Sequence, residues 1–230
     1  MPTWVITGID TDIGKTVATG LLARYLKQTG VSVITQKIVQ TGCAGMSDDI
    51  RLHRQLMGID LTPEDHNGLT CPYLFPFPAS PHLAARQTGI NIEPDIIRDA
   101  TQRLEGRYDV VLLEGVGGLY VPLTESFTLL DYIAGQRYPL IVVSSSRLGS
   151  INHTLLTLEA ARNREIGVLG LIYNLDPDTP QAIADDSQQI FRTFLKRFGF
   201  PDVIVPLPRI DLQQELPVLD FSPLIQSLRL

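Results

Sequence analysis

Gly8-Ile9-Asp10-Thr11-Asp12-Ile13-Gly14-Lys15-Thr16 lies between a short apolar run, Trp4-Val5-Ile6-Thr7, and a segment from Lys15 to Gln28 whose apolar residues recur at helical spacing before Gly30. Strand, glycine-bounded loop and helix in that order are what a phosphate-binding loop requires. Backbone N–H groups and the helix N-terminus would face the anion, the Lys15 ammonium would reach the β and γ oxygens, and the Thr16 hydroxyl would ligate Mg²⁺. Five positions rather than four separate Gly8 from Gly14, so the loop is one residue longer than the common pattern. The bland alternative is a glycine turn capping a helix that happens to begin Lys-Thr; the flanking strand and helix argue against it.

The same alternation continues downstream. Residues 31–37, 109–113, 140–144 and 168–173 read as strands, and residues 93–105, 150–164 and 181–198 as helices. Strands alternating with helices predict an α/β fold, here a single P-loop-type domain over residues 1–230 with a parallel sheet covered on both faces. Residues 62–81 break the rhythm with Pro63, Pro72, Pro76, Pro78 and Pro81. A stretch this long without periodicity is expected to be an ordered excursion near the site.

Composition narrows the class of protein. With 44% apolar and 19% charged residues the chain is built to fold rather than to stay disordered. The formal charge of −6, with scattered Lys and Arg, disfavours a nucleic-acid partner, so any bound phosphate is expected to be small. No run of about 18 apolar residues occurs and no signal peptide precedes the first strand, which predicts a soluble cytoplasmic protein with no membrane partner. Cys43 and Cys71 lack CxxC spacing and read as free thiols in a reducing compartment. His53, His66, His82 and His153 show no metal-ligand spacing, and no HExxH, EF-hand loop or GxSxG is present.

A phosphate loop needs a further metal-directed carboxylate at the end of another strand. Val110-Val111-Leu112-Leu113-Glu114-Gly115-Val116-Gly117-Gly118 supplies Glu114 where a buried strand meets a glycine turn. Ligands gather at strand C-termini in parallel sheets, so Glu114 and the loop should share one crevice. Ser47-Asp48-Asp49 precedes a helical pattern through Leu52 and Leu56 and reads equally well as an N-cap, and nothing in the residues alone chooses between the two aspartates.

With these pieces placed, the chain resembles the dethiobiotin synthetase family along nearly its whole length. The lengthened loop matches, and so, in order, do Lys37-Ile38-Val39-Gln40-Thr41-Gly42, Ser80-Pro81-His82, Glu114-Gly115-Val116-Gly117-Gly118 and Leu148-Gly149-Ser150-Ile151-Asn152-His153. The resemblance implies a cyclo-ligase that takes 7,8-diaminopelargonate, CO₂ and ATP to dethiobiotin, ADP and phosphate in biotin synthesis. A substrate amine captures CO₂ as a carbamate, ATP phosphorylates it, and the second amine closes the cyclic urea.

It also implies site roles. Lys15, Lys37 and Thr11 are the expected catalytic groups. Asp12, Ile13, Gly14, Lys15, Thr16 and Val17 are expected to hold the phosphates, with Gly115, Val116 and Gly117 beside them. Thr16, Asp48 and Glu114 are the expected Mg²⁺ ligands. Asp48 is preferred over Asp49 because its spacing to Leu52 matches the family's Asp-x-x-x-Leu pattern. Asn174, Leu175, Pro208, Arg209 and Ile210 are expected at the base, Thr41 at the substrate, and Gly149, Ser150, Ile151 and Asn152 at the substrate carboxylate across a homodimer interface. Ile9 departs from a hydroxyl residue common in this loop, and the match weakens from Asp176 onward. Two rival readings share the loop: a cobyrinate-type synthase, which would want a further glutaminase domain, and a ParA/MinD-like ATPase switch, which usually carries an additional lysine early in the loop where this chain has Ile9, Asp10 and Thr11.

Overall fold

The computed structural model describes residues 3–227. Its first half runs β1 (Thr3–Gly8), α1 (Lys15–Gln28), β2 (Val33–Lys37), β3 (Gln40–Thr41), α2 (Asp48–Met57), α3 (Pro63–His66), β4 (Leu74–Phe75), α4 (Pro81–Thr88) and α5 (Pro94–Glu105). The second half follows with β5 (Val110–Glu114), α6 (Leu129–Gln136), β6 (Leu140–Ser145), α7 (Ser150–Asn163), β7 (Val168–Asn174), α8 (Gln181–Phe198), β8 (Ile204–Leu207) and α9 (Ser222–Gln226).

Six strands form one parallel sheet in the order β2-β5-β1-β6-β7-β8. Successive side chains of a strand point to opposite faces, and both faces here are apolar. Trp4, Ile6, Leu112, Ile141 and Val143 pack with Leu21, Leu22 and Leu26 of α1, Leu56 of α2 and Leu224 of α9. Val5, Leu113, Leu140, Val142 and Leu171 turn the other way, onto Leu129 and Ile133 of α6, Leu158 and Ala161 of α7 and Phe191 and Leu195 of α8. The α/β sheet with helices on both faces is the predicted class.

The chain leaves β1 toward β2 on one side and returns to β6 on the other, so β1 sits where the strand order reverses. In open parallel sheets the crevice for a ligand lies at that point, beyond the strand C-termini. At α1 the helix begins directly from Gly14, whose φ of 97° is left-handed. A Cβ there would also stand 2.7 Å from the Asn174 side-chain nitrogen, so glycine is required by conformation and by space.

The proline-rich residues 62–81 form a wall. Thr62 caps α3 in a capping box with Asp65. The chain then runs parallel to residues 37–42, with Lys37 N–H donating to Thr70 O, Gln40 N–H to Tyr73 O and Gly42 N–H to Phe75 O. The longest elements that went unread in the sequence are α4, α6 and β8, and the short β3, α3, β4 and α9 went unread with them. Strand β8 contains Pro206, which breaks the strand pattern but is tolerated because β8 is an edge strand and the residue faces solvent.

Beneath this wall Arg54 of α2 is 2% exposed, and its Nε and Nη2 donate to the Asp65 carboxylate at 2.8 Å each. Burial alone would raise the Asp65 carboxyl, but hydrogen bonds and charge from Arg54, with Thr70 and Thr62, hold it below the usual carboxylate range. A carboxyl depressed in the folded state contributes stability above its unfolded value, about 3.9, and loses it as pH falls through the folded value. Arg54→Met strands that carboxylate and is expected to cost about 3–5 kcal/mol at neutral pH, with the deficit shrinking as acid neutralises Asp65. Urea unfolding of both proteins at neutral pH and near pH ~4 checks this; equal deficits at the two pH values would refute it.

Candidate active site

The phosphate loop, the ends of β2 and β5, the start of α2 and residues 78–81 enclose a crevice of about 690 Å³. Register sets its floor: Lys37, last in β2, lies directly opposite Glu114, last in β5, and Ile6 of β1 lies opposite Glu114 on the other side. Lys37 Nζ is 2.7 Å from Glu114 Oε1, donates to Gly115 O at 3.0 Å and stands 2.6 Å from Asp49 Oδ2. The Thr16 hydroxyl is 3.1 Å from both Asp49 Oδ1 and Glu114 Oε1. Two lysines and two carboxylates therefore balance within one water-poor site.

Their protonation follows from that balance. Burial would raise the Glu114 carboxyl, but Lys37 and His53 outweigh it and hold the group far below the usual carboxylate range. Burial would lower the Lys37 ammonium, but Glu114 and Asp49 raise it instead. Lys15, 7% exposed, has weaker anionic neighbours, and burial together with the Lys37 charge lowers it to about 8. Lys15 Nζ donates to Asp10 O at 2.7 Å, folded back over its own loop beside Gly8, where a Cβ would stand 2.9 Å from the ammonium.

Thr16, Asp49 and Glu114 offer hydroxyl and carboxylate oxygens only, a donor set suited to a small hard cation such as Mg²⁺. Among the described residues no group of three or more His, Cys, Asp or Glu is disposed to hold a metal by itself. This fits an ion held by one or two carboxylates and completed by substrate phosphates and water.

Of the two adjacent aspartates, Asp49 rather than the expected Asp48 lines the crevice. Ser47 caps α2, accepting from Ile50 N–H at 3.2 Å, and Gln40 holds Ser47 Oγ at 2.8 Å. With Ile50 fully buried, the helix presents Asp49 to the crevice and turns Asp48 to solvent. Residues four apart share a helix face. Asp48 is thus aligned with half-buried Leu52, whereas Asp49 is aligned with His53, whose imidazole meets Glu114. The Asp49-x-x-x-His53 spacing places both side chains on the face of α2 that meets Glu114 and the crevice.

Thr11, Asp12, Gly14, Lys15, Thr16, Val17, Lys37, Thr41, Glu114, Val116 and Gly117 all line the crevice. Ile13 is buried in the core, and its carbonyl accepts from Asn174 Nδ2 at 2.9 Å, tying the loop to the end of β7. Gly115 is also buried, reaching the site through its carbonyl. A smaller cavity of about 320 Å³ opens on the other side of the loop, where Asn174, Leu175, Pro208, Arg209 and Ile210 come together with Arg147, Asp176 and Asp178. Asp12, Gly14 and Val17 border both cavities. Gly149, Ser150, Ile151 and Asn152 line neither. They start α7, where Ser150 Oγ is pinned 2.7 Å from Ser145 Oγ and Leu148 is 86% exposed. His53 was missed in the sequence, while Asp49 stood as an open alternative and residues 78–81 belong to the stretch expected near the site.

A family model described as an AAA domain matches residues 2–211. The ATP-dependent dethiobiotin synthetase BioD of Chlorobaculum tepidum is 55% identical over 207 residues, covering 90% of this chain and 85% of that protein. BioD 2 of Pasteurella multocida is 52% identical over 194 residues, covering 84% of this chain and 91% of its own. Among solved structures, a ParA family ATPase from Chlorobium tepidum superposes with a TM-score of 0.56 at 17% identity, covering 91% of this chain and 84% of its own. The pNOB8 ParA bound to nonspecific DNA gives 0.57 at 14% identity, covering 98% and 92%. At such identities these two share the fold and nothing further. Sequence identity above one half across most of the chain, together with the crevice uniting Lys15, Lys37 and Glu114, makes this chain a member of the ATP-dependent dethiobiotin synthetase family.

Proposed function

We propose that the chain acts as a single synthetase domain, converting 7,8-diaminopelargonate, CO₂ and ATP to dethiobiotin, ADP and phosphate. One arrangement carries this reading: Lys15, Lys37, Thr41, Asp49 and Glu114 converge on a crevice with room for both a triphosphate tail and a small substrate.

One substrate amine adds to CO₂ and loses a proton, forming a carbamate. The carbamate oxygen attacks the γ-phosphorus, the bond to the β-phosphate oxygen breaks, and ADP leaves. The second amine then attacks the carbamoyl carbon, phosphate departs, and the cyclic urea closes. Positioning and charge neutralisation are the protein's main contributions, as phosphoryl transfer generally demands. Lys15 and the N–H groups at the start of α1 hold the phosphates. Lys37 offsets charge between carbamate and γ-phosphate from a fixed position, and Thr11 and Thr41 offer hydroxyls to the reacting groups. Mg²⁺, when bound by Thr16, Asp49 and Glu114, would neutralise phosphate charge. The 320 Å³ cavity between Asn174 and Arg209 suits the base, its position set by the loop it shares with the crevice.

We assign the substrate carboxylate to the α7 N-terminus of a second copy, because residues 149–152 border neither cavity of their own chain. Support comes from a groove of about 550 Å³ between residues 118–122 and α7, flanked by Tyr120 at 69% and Leu156 at 55% exposure. Apolar exposure of this kind suits a self-complementary interface.

Phosphate release from Mg-ATP in bicarbonate buffer should depend on the diamine and match dethiobiotin followed by mass spectrometry. Lys37→Ala should retain nucleotide binding while losing on the order of 10²-fold or more in turnover. Release indifferent to the diamine would instead favour an ATPase switch. Asp49→Asn should raise the Mg²⁺ requirement of turnover about tenfold or more, with Asp48→Asn near wild type; the reverse order would restore Asp48 as the ligand. Sedimentation at micromolar concentration should give a species of twice 25.4 kDa, and a monomer alone would remove the shared carboxylate site.

A further inference from the structure

His53 is fully buried on α2, with Nε2 2.8 Å from Glu114 Oε2 and Nδ1 3.0 Å from Thr35 Oγ1. Thr35 Oγ1 also accepts from Arg54 Nη1 at 2.7 Å, and Arg54 is gripped by Asp65. This is a chain of hydrogen bonds under the crevice, running from the proline-rich wall to the acidic end of β5.

Both ends of the chain have fixed polarity. A guanidinium only donates, so Thr35 Oγ1 is an acceptor toward Arg54 and keeps its own hydrogen to give away. An ionised carboxylate only accepts, and Glu114 is paired with the Lys37 ammonium. Between a donor at Thr35 and an acceptor at Glu114 the imidazole has one arrangement that satisfies every group: Nδ1 accepts from the Thr35 hydroxyl and the Nε2–H donates to Oε2. The other carboxylate oxygen, Oε1, faces Lys37 and Thr16. A carboxylate without this anchor could rotate and offer its two oxygens interchangeably.

We propose that His53 is a positioning residue: by holding Glu114 through Oε2 it commits Oε1 to the crevice, and so sets the Mg²⁺ concentration at which the protein takes up nucleotide. The inference rests on Glu114 being a metal ligand, as proposed above. Partners behind a ligating group generally tune metal affinity by 10–100-fold.

The test is binding of a nonhydrolysable ATP analogue to the full chain, titrated with Mg²⁺. His53→Leu keeps bulk but removes both ring nitrogens. It should raise the half-saturating Mg²⁺ concentration by about 10–100-fold while leaving binding of the metal-free analogue unchanged. His53→Gln, whose amide can donate to Oε2, should recover most of the difference, which a merely space-filling role would not predict. Wild-type Mg²⁺ dependence in His53→Leu, or a Gln variant no better than Leu, overturns the positioning role. Unchanged dependence in Glu114→Gln overturns the ligand reading itself and this inference with it. Nitrogen-15 histidine spectra of the wild-type protein need no variant: His53 should show the Nε2–H tautomer, and an Nδ1–H tautomer refutes the assignment.

Discussion

Lys37 and Glu114 close the register of β2 and β5 as a charged pair with almost no access to water, and the rest of the site is arranged around that fact. Two charges out of water cost several kcal/mol each before pairing, and a buried pair is tolerated only when its remaining donors and acceptors are met. Here they are: Oε1 takes Lys37 and Thr16, Oε2 takes His53, and the ammonium also reaches Gly115 O and Asp49. Apolar residues of similar size at these two strand ends would be at least as stable by the usual comparison. Function, rather than stability, is the better reason for charge there.

The pair also explains why α2 and the proline-rich wall sit where they do. Glu114 needs a donor from beneath, which α2 supplies through His53, and α2 is held by its Ser47 cap, its contact with α1 and the Arg54–Asp65 grip. The wall gives Lys37 N–H its partner at Thr70 and lends residues 78–81 to the crevice rim. Prolines along it fix an extended backbone whose main-chain groups pair with residues 37–42. A segment without periodicity in sequence, expected as an ordered excursion near the site, thus frames the crevice.

What was legible in the sequence follows the same physics. The phosphate loop, the central strands and helix α1 rest on local signals, namely glycine placement, buried apolar runs and helical period, so they were readable before any coordinate. His53 was not, and the choice between Asp48 and Asp49 stayed open, because both depend on which side of α2 faces the sheet, a tertiary matter. Strand β8 was hidden by Pro206, whose tolerance depends on being at an edge. Residues 149–152 could be matched to a family motif, but their standing apart from both cavities emerges only in three dimensions.

The ParA-type structures share the fold, so the fold alone does not distinguish a ligase from a switch. The distinction lies in what stands opposite the phosphate loop across the crevice. In this chain Lys37, Thr41 and residues 78–81 of the wall line the crevice together with the phosphate loop. A switch needs its γ-phosphate to be felt by a mobile element or a partner surface. A ligase needs a second reactant held in line with it, and a cation fixed by two carboxylates at the end of a buried strand is a rigid way to supply the charge that reactant requires.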